Sequence, residues 1–151
     1  MTEQTLPIVG AAMPVSALEM HREWLIADQR DLEIQDGFSP DVLDGDWRAV
    51  VAQAKRLLDG YTGRMGIHGP FVSLSILARD PKIRTVVTDR LLQGVEFAHE
   101  LGATHMVVHS PFEYFGTPFL PHSPGHGQAE QFELIHQTLD RVVAQAKEAN
   151  V

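Results

Sequence analysis

The sequence has 151 residues, with a hydrophobic fraction of 44% and a charged fraction of 21%, the proportions of one soluble globular domain with chain enough for one core. A formal net charge of −8, with no basic stripe to offset it, repels phosphate backbones at long range and disfavours a nucleic-acid partner. With no cysteine there is no disulfide framework, thiolate metal site or cysteine nucleophile, and a reducing, cytoplasmic location is expected.

Leu6 to Val15 is apolar, but it has no basic flank and is too short to span a bilayer. No later run is long or apolar enough, so no membrane partner is expected. Within that stretch Ile8 to Ala12 reads as a first strand, and Ser16-Ala17-Leu18-Glu19 has the spacing of a capping box opening a helix to about Ala27. Leu32 and Ile34 alternate with Asp31, Glu33 and Gln35, the period of a second strand buried on one face. A turn-rich stretch from Asp36 to Asp46 leads to a second helix with Trp47, Val50, Val51, Ala54, Leu57 and Leu58 on its apolar face, stopped by Gly60 and Gly63. Trp24 and Trp47 are both expected in the core.

Met65 to His68 is a third strand, and Asp80-Pro81 supplies an N-cap and a first-turn proline to a third helix reaching Leu101. Ile83, Val87, Leu91, Val95 and Ala98 share its inner face, and Gly102 ends it. Thr104 to His109 is a fourth strand. A fourth helix from Gln128 to about Ala149 turns Phe132, Ile135, Leu139, Val142, Val143 and Ala146 inward. Strict βαβαβαβα order implies a parallel sheet, and the glycine spacing of a dinucleotide-binding turn is missing after the first strand, which favours a barrel over an open doubly wound sheet. A closed barrel needs eight such units in about 250 residues. The expectation is therefore a single domain over residues 1–151, a (β/α)8 TIM barrel truncated to about four βα units, its N-terminal half.

Ile67-His68-Gly69-Pro70-Phe71 and Val108-His109-Ser110-Pro111-Phe112 repeat one pattern 41 positions apart, each closing a strand. The sheet face against the helices must be apolar, so Met65, Ile67, Met106 and Val108 point outward and alternation turns His68 and His109 toward the barrel axis. Both then lie at carboxyl ends of neighbouring strands, where barrel enzymes build their sites. There an imidazole can ligate a divalent metal, bond to a sugar oxygen or move a proton. Glu33 faces inward by the same argument. Its carboxylate can bind a metal or a substrate hydroxyl, or pair with Arg64 or a lysine. The loops Phe71 to Arg79 and Ser110 to Gly127 are long. The second carries Phe112, Tyr114, Phe115, Phe119, His122 and His126, with both histidines read as surface residues. His21, His99, His105 and His136 read as boundary residues.

The strings GIHGPF from Gly66 and RDPKIRTVVTDRLLQGVEFAHELGATHMVVHSPF from Arg79 resemble the xylose isomerase-like TIM barrel superfamily, through the His-small-Pro-aromatic strand ends and the helix closing in Leu-Gly-Ala. That group includes sugar phosphate isomerases and epimerases, hydroxypyruvate isomerases, inosose dehydratases and metal-dependent apurinic endonucleases. The resemblance implies metal-assisted aldose-ketose isomerisation or epimerisation of a sugar or polyol. It also implies a divalent metal (Mn, Mg, Co or Zn) held mainly by residues of strands five to eight, and proton-moving glutamates beyond Val151. Positions matching His68 and His109 line the substrate pocket in the sugar isomerases, whereas in the endonuclease branch the matching pair helps to bind zinc. Glu33 matches an inward glutamate common on the second strand. Two other readings stand beside the isomerase: a non-catalytic half barrel that binds a polyol or associates with another chain, as in a homo-oligomer, and an abasic-site endonuclease, which the acidic charge disfavours.

Overall fold

Four short runs of aliphatic residues form one parallel sheet in the computed structural model, which describes residues 9–111 and 128–151. The elements run β1 (Ala11–Met13), a 3-10 turn (Val15–Ala17), α1 (Leu18–Ala27), β2 (Leu32–Ile34), a 3-10 turn (Asp36–Phe38) and α2 (Pro40–Asp44). They continue with α3 (Trp47–Leu57), β3 (Met65–His68), α4 (Pro81–Leu101), β4 (Met106–Val107) and α5 (Gln128–Ala149). The strands lie in the order β1-β2-β3-β4, every neighbour parallel. A doubly wound sheet reverses its strand order part-way. A barrel wall does not, so this sheet is four strands of a barrel wall.

The outward face is apolar as alternation requires: Leu32, Ile34 and Ile67 are buried against Leu18, Leu25, Val51, Ala54, Phe97 and Ala98 of the helices. A second cluster joins Val87, Leu91 and Val95 of α4 to Val142 of α5 and Ile76 of the loop between β3 and α4. At the start of α4, Asp80 accepts from the Lys82 amide at 2.8 Å with Pro81 in the first turn, and at its end Gly102 takes a left-handed φ of 86°. No helix among the described residues is long and apolar enough to cross a membrane.

Several local expectations are corrected. The first strand is Ala11–Met13, later than the run from Ile8, which itself lies outside the described residues. No capping box forms at Ser16. The chain enters α1 through a 3-10 turn, and the Val15 amide is held instead by Asp36 Oδ2 at 2.7 Å. The turn-rich stretch contains α2, begun by Pro40. The fourth strand pairs only over Met106–Val107, shorter than Thr104 to His109. Trp24 is 40% exposed, its indole covered by the Arg30 guanidinium 4.5 Å away, while Trp47 does pack inward against Phe97. Ile83, Phe132 and Val143, placed inward by periodicity, are about half exposed. On α5 the buried positions are Leu134, Thr138 and Val142.

Candidate functional site

On the inward face β2 places Glu33 between two small residues, Ala12 of β1 and Gly66 of β3. The side chain therefore has room to climb toward the carboxyl end of the sheet. His68 follows Gly66 by two residues on the same face and stands beside Val107 of β4, which His109 in turn follows by two. Each functional group is thus one same-face position higher than the one on the preceding strand, the stagger by which a tilted sheet closes into a barrel.

The staircase brings the three groups into one hydrogen-bonded chain. His68 Nδ1 lies 2.7 Å from Glu33 Oε1, and His68 Nε2 lies 2.8 Å from His109 Nε2. A carboxylate only accepts, so His68 Nδ1–H is the donor. One proton then lies between the two Nε2 atoms. The side chains of His68 and Glu33 remain 19% and 26% exposed, enough to meet a ligand from the strand ends. Glu33 does not pair with Arg64. That guanidinium sits 3.5 Å from Asp31 at the other end of the sheet.

Two phenylalanines complete the cluster. Phe71 lies flat on His109, centroids 4.2 Å apart and planes within 6°, and its ring meets His68 edge-on at 5.1 Å. Phe38 meets His68 edge-on at 6.0 Å and Phe71 at 5.4 Å. Phe38 reaches this place because the turn before it presses on β3: a Cβ at Gly37 would stand 2.9 Å from Ile67 Cδ1 and 3.1 Å from the His68 carbonyl. The sequence contains no periodic signal for Phe38, whereas Phe71 belongs to the repeated strand-end pattern. Burial, and then the neighbouring His68, hold His109 below the usual histidine range, with Glu33 opposing. His105 lies lower on the same inward face, its ring filling the space that a side chain at Gly66 would need. Burial and the Arg64 cation lower its pKa as well, against the opposing pull of Asp31 and Glu33.

A divalent metal needs its donors at a set spacing. Two imidazole nitrogens bound to one tetrahedral zinc stand about 3.3 Å apart. These two are closer, and bonded to each other. Among the described residues no group of three His, Asp or Glu side chains is gathered as a metal would need. The described residues therefore do not fit a metal by themselves. Phe112, Tyr114, Phe115, Phe119, His122 and His126 lie outside the described residues. Among the other histidines, His99 on α4 meets the Ala149 carbonyl at 2.9 Å and His136 on α5 meets Asp140 at 3.0 Å, both exposed on the helices.

No family model and no curated protein matches the sequence. Among solved structures the chain is similar to the TTHB071 protein from Thermus thermophilus, in a crystal soaked with ZnCl2, at 28% identity and a TM-score of 0.68. The alignment covers 96% of this chain and 54% of that one. It is also similar to a D-tagatose 3-epimerase-like protein, at 20% identity and a TM-score of 0.65, over 96% of this chain and 51% of that one. A D-psicose 3-epimerase from Clostridium cellulolyticum, solved with D-tagatose, aligns at 17% identity and a TM-score of 0.54, over 96% and 50%. The last two likenesses are of fold. The chain spans about half the length of each. Its fold is that of the xylose isomerase-like TIM barrels, over half of a barrel, as the strand-end motifs implied.

Proposed function

We propose that this chain is the substrate-holding, N-terminal half of a sugar isomerase or epimerase, with Glu33, His68 and His109 binding the hydroxyl and carbonyl oxygens of a polyol. The observation that carries the reading is the hydrogen-bonded row of these three groups, rising across the carboxyl ends of β2, β3 and the chain after β4. Such a row offers a carboxylate acceptor and imidazoles that can both donate and accept, which suits vicinal hydroxyls. That the fold is shared with proteins described as D-tagatose 3-epimerase-like and D-psicose 3-epimerase supports the same substrate class.

A substrate hydroxyl would enter between the two Nε2 atoms in place of the His68–His109 bond, while Glu33 keeps hold of His68 Nδ1 and Phe71 holds His109 flat. A divalent metal and the proton-moving carboxylates belong to this proposal only for a complete barrel, and a cytoplasmic location goes with it. The test is ketose-aldose interconversion and 3-epimerisation with added manganese, measured on this chain and on a form extended by four further βα units. Turnover by the extended form supports the proposal, and its silence sinks it. Among the described residues β1 and β4 each pair on one side only, which favours one second reading, a half barrel that associates with another chain.

A further inference from the structure

We infer that Phe38 and Phe71 are specificity residues of this site, forming an apolar wall that selects an uncharged polyol over its phosphate ester. The inference rests on the polyol reading above and narrows it.

Two independent observations carry it. The first is the wall. Phe38 and Phe71 are half-buried, meet each other at 5.4 Å and flank both imidazoles of the hydrogen-bonded row. A ligand whose hydroxyls reach His68 and His109 must therefore lay carbon and hydrogen against these two rings. Free sugars present such a face, since their hydroxyls project to the sides of a C–H surface. Dry aromatic contact beside a few fixed polar groups is how a pocket combines affinity with orientation.

The second is the distribution of charge. The described strand-end segments 13–16, 33–46, 68–78 and 109–111 contain none of the twelve Lys and Arg residues. Acids are present there: Glu33 in the row itself and Asp36 bound to the Val15 amide. Among the cations near these segments in sequence, Arg48 lies over the Trp47 ring at 4.2 Å and Arg79 beside Glu130 at 3.3 Å, while Arg90 of α4 is held by Asp44, inside the second segment, at 2.5 Å. The cations of the sheet lie at its opposite end, where Arg64 faces Asp31 and the Arg30 side chain bonds to the Val9 carbonyl. A phosphate over these strand ends would meet the Glu33 carboxylate with no Lys or Arg of the described segments to compensate it, and like charges in a partly desolvated site repel.

The experiment measures binding of D-fructose and of D-fructose 6-phosphate to this chain, by saturation-transfer NMR and by titration. It includes Phe38→Leu and Phe71→Leu variants whose folding is checked by circular dichroism. The expected result is binding of D-fructose with saturation passing from aromatic protons to its C–H protons, and binding of the ester at least about tenfold weaker. Each leucine variant should weaken D-fructose binding by a factor of about 2 to 10, the worth of a lost aromatic face. The ester binding as tightly as the free sugar would overturn the inference and leave the polyol reading standing. So would folded leucine variants with unchanged affinity. Failure of both sugars to bind the wild-type chain would remove the inference and the polyol reading together.

Discussion

Glu33 controls how the two histidines share their protons. By accepting from His68 Nδ1 at 2.7 Å it fixes that ring with its proton on Nδ1 and leaves Nε2 to meet His109 at 2.8 Å. Glu33→Leu removes the acceptor and strands a half-buried N–H, and the expected cost is about 1–3 kcal/mol of unfolding free energy, read from urea melts. Imidazole 15N spectra should show the Nδ1–H form of His68 in the wild type and its loss in the variant; a wild-type ring protonated on Nε2 alone would refute the assignment. The lowered pKa values of His105 and His109 have a second consequence. Both rings take up a proton less readily folded than unfolded, so the stabilisation is complete above the ordinary value of 6.5 and is lost as pH falls through the lowered folded values. The urea midpoint should therefore fall between about pH 7.5 and pH 5.5, and fall less in a His105→Gln, His109→Gln double variant. A midpoint flat across that window would contradict the burial of these rings. That Glu33, His68 and His109 share one face was legible because strand alternation alone decides it. Their mutual contact was not, since it depends on the stagger between strands. Phe38 joins them only because the 36–38 turn folds back over Gly37, a long-range approach with no trace in local periodicity.

At the scale of elements, the strands and long helices were legible wherever apolar spacing was strong, and errors fell where neighbours decide burial. Trp24 has the spacing of a core residue on α1, but Arg30 offers it a cation at the surface instead. On α5 the inner face is set by where α4 and the loop after β3 lie, so Thr138 is fully buried while Phe132 and Val143 face out. The Thr138 hydroxyl lies 3.0 Å from the Ile76 carbonyl and 2.9 Å from that of Leu134, while Thr88 Oγ1 donates to the Thr138 carbonyl at 3.2 Å. One hydroxyl thus ties α5 to the loop that carries Phe71. Thr138→Val keeps the volume and removes the donor, leaving the buried Ile76 carbonyl without it. The expected loss is about 1–3 kcal/mol. Hydrogen exchange should quicken in residues 71–78 while β3 keeps its protection; unchanged exchange in that loop would show that the tie does not hold it.

Considered whole, the molecule is a parallel sheet with two ends. Among the described residues β1 and β4 each pair on one side only, and the solved structures it resembles are about twice its length. The outermost helices carry the matching apolar signature: Met20 on α1 is 84% exposed beside Trp24, and Phe132 and Val143 on α5 are each 48% exposed. α1 packs on α3 and α5 packs on α4, so these side chains stand on the helices at the two ends of the helical layer. Unpaired strand edges flanked by exposed apolar residues associate with whatever offers the complementary edge. Residues 1–151 alone should therefore self-associate as concentration rises, with a weight-average mass in light scattering that climbs from near-monomer below about 10 μM toward dimer or larger species at several hundred μM. Met20→Lys and Val143→Lys alter exposed positions and should leave the unfolding midpoint within about 0.5 kcal/mol while lowering the association constant. A monodisperse monomer across the whole range would mean that these edges are blunted within the 151 residues themselves. That outcome would remove the associating half barrel as a reading and leave the substrate-holding half as the one still to be tested.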